Sequence, residues 1–221
     1  MNILEAMKNR HSVRQYSEKE IESNIKDELC TLIKQLNNDS GLNMQFVTNE
    51  PKAFAGRMAH YGKFSGVKNY IAIVGKKGNN IEEKCGYYGE MLVLKAQQLG
   101  LNTCWVGLTF TKVKTAFKIN KGEKLYIVIA IGYGQTQGVQ HKSKSIEEVT
   151  KVSEDMPQWF KKGAEAALLA PTAVNQQKFL FILKDKKVIP KAGFGFYTKL
   201  DLGIVKYHFE LGAGVTNFEW E

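Results

Sequence analysis

Two arginines and a serine alternate in Arg10-His11-Ser12-Val13-Arg14. In an extended segment alternate side chains share a face. Arg10, Ser12 and Arg14 would then point one way, and two guanidiniums beside a hydroxyl make charge-assisted, partly bidentate phosphate chemistry. A basic surface turn is the plainer account of the same residues. A second stretch, Ala170-Pro171-Thr172-Ala173-Val174-Asn175-Gln176-Gln177, falls between a helical and a strand-like pattern. Its small residues let a backbone approach a flat ligand, and its amides can read a ring edge that both donates and accepts; a polar turn after a helix-stopping proline is the alternative. The third stretch is Gly100 to Leu108, GLNTCWVGL, where a helical pattern gives way to extended chain and Gly107 allows close backbone approach. Core packing explains it equally well.

Other chemistries lack their residues. Gly132-Tyr133-Gly134 follows an apolar run, but the third glycine of a dinucleotide fingerprint comes one place late, at Gly138, with no helix after it. His60, His141 and His208 have no ligand spacing, and His208, beside Val205 and Leu211 on a helical face, reads as a core histidine. No Ser-His-Asp or Cys-His nucleophile pattern is present. Cys30, Cys85 and Cys104 are too few and too far apart for a disulfide framework or a zinc site.

The elements that must position these stretches follow from periodicity. Asn2 to Arg10 predicts a short helix. Ser17-Glu18-Lys19-Glu20 has the form of a capping box, predicting a helix from there to about Asn37 with Ile21, Ile25, Leu29, Leu32, Ile33 and Leu36 as its apolar stripe. Strands are expected at Met44 to Thr48, Tyr70 to Val74, Cys104 to Val106, Leu125 to Ile131, Phe179 to Leu183 and Val215 to Trp220. Helices are expected at Glu83 to Leu99, from near Pro157 to about Ala170, and at Leu200 to Leu211. Gln135 to Ser145 is the best candidate linker. The sum is a mixed α and β chain with helices packed on a sheet.

The 221 residues, 43% hydrophobic, are enough for a buried core. No apolar run approaches the roughly 18 residues of a membrane span. The start, MNILEAMKNRHSVR, does not read as a signal peptide, so a cytoplasmic protein with reduced thiols is expected. The net charge of +9 comes from scattered lysines. That fits a solvated surface better than a nucleic-acid interface.

Taken together, the phrases resemble the FMN-dependent nitroreductase family. RHSVR matches its opening basic-serine phrase, QLGLNTCWVGLTF its LGLGTCWVGG phrase, VIAIGYGQ its IGYP phrase, and HKSKSIEEVT its basic residues ahead of PLEEVV. The family's APSAxNxQPW phrase, normally near position 40, is missing from NNDSGLNMQF and stands instead at 170–179 as APTAVNQQKF. The family dimer uses that phrase to reach its partner's flavin. The resemblance therefore implies an α+β nitroreductase-like fold, antiparallel-rich, with helices around the sheet and two pseudo-repeated halves. Residues 1–150 would be the main half and 151–221 a reduced second half completing the flavin site, as in the branch of the family with an internal duplication. A monomer could then hold a full site, with a dimer left open.

By the same resemblance, Arg10, His11, Ser12 and Arg14 hold the FMN phosphate and ribityl chain, and Lys142 and Lys144 add charge. Trp105, Val106, Gly107 and Leu108 line the isoalloxazine, with a backbone N–H near Gly107 or Leu108 meeting its reactive nitrogen. Pro171, Thr172 and Asn175 contact it from the second half, and Gln177 shapes their loop. Lys178-Phe179 and Leu108 depart from the family's Pro-Trp and glycine, which puts the shape of the substrate pocket in question. The implied activity is ping-pong hydride transfer from NADH or NADPH to a small acceptor such as a nitroaromatic or quinone, with no catalytic side chain and no metal. An FMN-binding redox sensor or partner protein without efficient turnover is the alternative. A related flavin reaction, reductive dehalogenation or enoate reduction, follows it. No nucleic acid or membrane partner is expected.

Overall fold

A computed structural model describes residues 1–152 and 155–221. In chain order the elements are α1 (Ile3–Asn9), α2 (Ser23–Ser40), β1 (Asn43–Val47), α3 (Arg57–Tyr61), β2 (Asn69–Lys76), α4 (Ile81–Gln98), β3 (Asn102–Val106), β4 (Glu123–Gly132), α5 (Ile146–Val149), β5 (Thr150–Lys151), α6 (Gln158–Ala167), β6 (Phe179–Lys184), β7 (Lys187–Ala192), α7 (Thr198–Ala213) and β8 (Glu219–Trp220). They divide into two compact units: Met1 with Asn9–Ile81 and Leu92–Gln140, and Asn2–Lys8 with Glu82–Met91 and His141–Glu221.

The first unit is built on an antiparallel sheet in the order β1-β2-β4-β3. Its two central strands are apolar along nearly their whole length, so both faces can be covered. Val13, Tyr16, Phe54, Phe64, Tyr70 and Val128 are among the side chains that fill the core on one side. The capping box expected at Ser17 does not start a helix. Tyr16 and Ser17 are instead claimed by the end of β4: Tyr16 bridges Gly134, its hydroxyl donates to Ala130 O at 3.3 Å, and Ser17 N donates to Tyr133 O at 2.8 Å. The helix begins six residues later, after an extended Glu22. A capping box does form at Ser145 and Glu148, at the start of α5.

The second unit has the sheet order β5-β6-β7-β8, antiparallel between β6 and β7 and parallel at both outer pairs. The pattern gave no sign of β7, because it carries three charged or proline positions in six residues. Pro190 is tolerated because β8 pairs only with Lys187 and Val188, leaving β7 an edge at the proline. The strand expected from Val215 shrinks to Glu219–Trp220, because Gly214 to Asn217 form a turn that ends α7, with Asn217 Nδ2 on Ala213 O at 2.7 Å. Phe160, Phe181, Phe209, Phe218 and Trp220 form an aromatic core with ring centroids 4.5–6.0 Å apart.

Two glycines let α7 and the 82–91 stretch of α4 pack backbone to backbone. A Cβ on Gly86 would lie 1.9 Å from Leu200 O, and one on Gly203 would lie 1.9 Å from Glu83 O. Beside this crossing His208, fully buried as expected of a core histidine, donates Nδ1–H to Ala166 O at 3.2 Å, since a carbonyl can only accept. Its Nε2 meets the equally buried Glu90 carboxyl at 2.9 Å.

Candidate functional site

In the first unit, the 10–16 segment runs extended between two partners. Ser12 bridges Thr103 of β3, Val13 N donates to Thr103 O at 3.0 Å, and Ser65 N donates to Arg14 O at 3.0 Å. Gly138 closes over it so tightly that a Cβ there would lie 2.7 Å from the His11 Cβ. Val13 therefore points into the core while its neighbours flank the Cys104 thiol. Burial pushes that thiol above its ordinary range, and Arg14, a hydrogen bond with Ser12, and Arg10 pull against the rise. Ser12 thus reaches the thiol directly and both guanidiniums act on it through their charge, in unequal settings: Arg10 is 3% exposed, Ser12 half-buried, and Arg14 exposed with its guanidinium 6.0 Å from the Phe64 ring.

From Cys104 the chain continues along β3 through Trp105, half-buried, and Val106, whose side chain belongs to the core. Val106 therefore has only its main chain to offer a ligand. Gly107 is half-buried and Leu108 is 69% exposed. Asn102 at the start of β3 accepts from Gly134 N and donates to Gln137, both at 3.0 Å, which fixes the turn after β4.

The second unit assembles the remaining residues around Gln177, which is buried. Its backbone N–H donates to Thr172 Oγ1 at 3.0 Å. Its Oε1 accepts from Lys144 N at 2.9 Å, its carbonyl accepts from Lys144 Nζ at 3.0 Å, and its Nε2 donates to Lys142 O at 2.8 Å and Asn175 Oδ1 at 2.9 Å. Asn175 Nδ2 also donates to Lys142 O at 2.8 Å. Lys142, Lys144, Thr172 and Asn175, some thirty residues apart in sequence, form one bonded group, with Pro171 at its start. Both ends of the Asn175 amide are engaged within the loop, so its structural contribution is to shape it. Lys142 is exposed, and Lys144 Nζ keeps two of its three N–H donors beyond the bond to Gln177.

That loop holds an uncommon backbone. Val174, Asn175 and Gln177 lie at φ of 46°, 55° and 45°. A β-branched residue there is an outlier, and such strain persists only where neighbours enforce it. The enforcing group is Asp201, in the first turn of α7 and 3% exposed. Its carboxylate accepts from Ala173 N at 3.0 and 3.2 Å and from Gln176 Nε2 at 2.7 Å. Burial lifts its pKa from 3.8 to about 6, against the hydrogen bonds from Gln176 and Ala173. Sequence reading missed Asp201. An aspartate near a helix start is ordinary, and nothing local ties it to a loop 28 residues earlier.

These elements match known proteins. A family model described as "Putative TM nitroreductase" matches residues 2–213. The chain belongs to this nitroreductase family. A "putative nitroreductase" structure from Thermotoga maritima is 24% identical, with 99% of this chain and 87% of that one covered at a TM-score of 0.69. A "putative nitroreductase in complex with FMN" from Desulfovibrio desulfuricans is 18% identical, covering 71% of this chain and 99% of that one at 0.53. A "Putative NADH dehydrogenase/NAD(P)H nitroreductase" from Parabacteroides distasonis is 19% identical, covering 67% and 97% at 0.52. At these identities the structures establish the nitroreductase-like fold. Comparison with curated proteins gives no match. Among the described residues no helix is long and apolar enough to cross a membrane.

Proposed function

We propose that this nitroreductase-family chain is an FMN-dependent oxidoreductase that takes hydride from NADH or NADPH and passes it to a small acceptor such as a quinone or nitroaromatic. The observation that carries the reading is the Gln177-centred group. The chain spends a buried amide and three strained residues to hold together Lys142, Lys144, Thr172 and Asn175, the residues that the family resemblance assigns to flavin. The FMN-bound relative from Desulfovibrio desulfuricans supports the cofactor, and the nicotinamide names of the relatives support the donor.

The residues fit FMN chemically. A phosphate dianion needs cations and a hydroxyl, and Arg10, Arg14 and Ser12 converge around Cys104. His11 would complete that phrase, with Lys142 and Lys144 adding charge. Trp105, the Val106 backbone, Gly107 and Leu108 would line the ring system, with Pro171, Thr172 and Asn175. FMN, when bound, supplies the hydride chemistry. The side chains bind, orient and exclude water, and none is assigned a proton to move.

The reading that residues 151–221 form a reduced second copy gains support from spacing. The starts of α4 and α7, their N-caps, the paired glycines and the starts of β3 and β8 are each 117 positions apart (81 to 198, 80 to 197, 86 to 203, 102 to 219). Both N-caps, Asn80 and Tyr197, are left-handed, at φ 59° ψ 12° and φ 57° ψ 8°.

The test is equilibrium titration of the protein with FMN, followed by flavin fluorescence. Removing one charge-assisted phosphate contact costs about 1.5–3 kcal/mol. Arg14→Ala should therefore weaken binding about 10- to 150-fold, while Lys124→Ala, an exposed lysine at the start of β4, should leave it unchanged. Equal affinity in Arg14→Ala and wild type would remove Arg14 from the site. No binding by wild type would sink the proposal.

A further inference from the structure

The segment Gly193-Phe194-Gly195-Phe196-Tyr197-Thr198 leads from β7 into α7 and presents two phenylalanines to water, Phe194 at 99% and Phe196 at 54% exposure. A loose loop could fold such rings away, but this one is pinned along its length. Gly193 N donates to Lys178 O at 2.8 Å, Lys178 Nζ to Phe194 O at 3.0 Å, Gln176 Nε2 to Phe196 O at 2.9 Å, and Thr198 Oγ1 to Gly195 O at 3.2 Å. Three of the four anchors come from residues 176–178, the continuation of the candidate flavin loop. Gly195 sits so close to that loop that a Cβ on it would lie 2.9 Å from Gln176 Oε1. The same Gln176 amide reaches Asp201, so one side chain locks both loops together.

This arrangement gives the Lys178-Phe179 departure a structural sense. Phe179 is buried against Phe181, with centroids 5.6 Å apart, and is lost to any ligand. Lys178 turns its ammonium to the Phe194 carbonyl. The aromatic surface next to the loop is supplied by Phe194 and Phe196 instead. Water-exposed rings on a pinned backbone beside a polar loop suit a flat aromatic molecule that must arrive and leave, because stacking then orders only two side-chain torsions per ring and no main chain.

We propose that Phe194 and Phe196 form the surface that holds the ring of a planar acceptor, quinone or nitroaromatic, at the flavin loop. This rests on the oxidoreductase reading above. Neither ring belongs to the residues assigned to FMN, so both can be removed without touching cofactor binding.

The test uses FMN-loaded wild type, Phe194→Ala, Phe196→Ala, the double variant, and Phe194→Tyr with Phe196→Tyr. Each is assayed with menadione, a flat two-ring quinone, and with ferricyanide, which has no ring to stack. FMN affinity and thermal midpoint are measured alongside. The double alanine variant should raise the menadione KM about tenfold or more. Ferricyanide kinetics and FMN affinity should stay within about twofold, and the tyrosine pair should restore the menadione KM. An unchanged menadione KM overturns the proposal, as does a parallel loss with both acceptors. Failure of wild type to take up FMN or to oxidise NADH and NADPH is a different result: it refutes the oxidoreductase reading, and this inference falls with it.

Discussion

Replacing Asp201 by asparagine should make the protein less sensitive to rising pH. Asp201 is held in a buried place where its folded pKa is about 6 against 3.8 in the ordinary state. A raised folded pKa means that the stabilising contribution is complete below about pH 4 and is lost as pH rises through about 6. With these values the raised pKa costs about 1 kcal/mol at pH 4.5, where the unfolded chain ionises while the folded carboxyl keeps its proton, and about 3 kcal/mol at pH 7.5, where both are ionised. Wild type should therefore lose about 2 kcal/mol between those pH values from this side chain alone, and Asp201→Asn should lose none of it. The asparagine keeps one acceptor for Ala173 N but sets an NH2 against the Gln176 amide, a fixed penalty of about 1 kcal/mol at any pH. The informative quantity is thus the slope and not the absolute stability. Urea unfolding followed by tryptophan fluorescence at pH 4.5, 6.0 and 7.5 measures it. Parallel pH profiles for the two proteins would refute the reasoning. If the charge is kept because it holds the strained loop, Asp201→Asn should also weaken FMN binding, and Asp201→Ala should weaken it further.

Other parts of the structure make separate predictions. Val174→Asn should relieve left-handed strain and raise stability by about 1 kcal/mol, a midpoint shift of about 2–4 °C in a thermal scan; no change would mean that no strain is stored there. Glu90→Ala breaks a fully buried pair with His208 and should cost about 3–5 kcal/mol, seen as a thermal midpoint lower by about 10 °C. Gly86→Ala and Gly203→Ala each place a methyl 1.9 Å from a backbone oxygen. Both should destabilise by several kcal/mol in chemical unfolding, whereas Gly78→Ala, with nothing within 4 Å of the added Cβ, should not.

Much of this architecture is legible in the sequence where one local signal is strong. The apolar run at Leu125 to Ile131 became β4, the stripe ending at Gly100 became α4, and His208 proved a core histidine. The polar stretch Gln135 to Ser145 contains the last of the five places, between Gln140 and His141, where the chain passes between the two compact units; the others fall next to or inside α1 and α4, where no linker composition marks them. Reading failed where distant contacts override a local pattern. Ser17 has the chemistry of a cap, but its N–H is spent on Tyr133 O. The strand Lys187–Ala192 looks too polar and carries a proline, and only its edge position beside Pro190 makes it possible. The grouping of Arg10, Ser12 and Arg14 near the Cys104 thiol was visible because alternation is a local property. Asp201 and the Phe194–Phe196 loop were not, because their meaning comes from hydrogen bonds to residues 173–178 that only the fold creates.

Binding of FMN by the chain, and hydride exchange through it, would both show in a visible absorption spectrum. Purified protein is loaded with FMN, freed of excess cofactor, and recorded without oxygen before and after NADH or NADPH is added. The expected result is a protein-bound flavin spectrum in the blue that bleaches on addition of the nicotinamide and returns when menadione is supplied. A protein that retains no flavin, or one whose bound flavin stays oxidised with both nicotinamides, would contradict it.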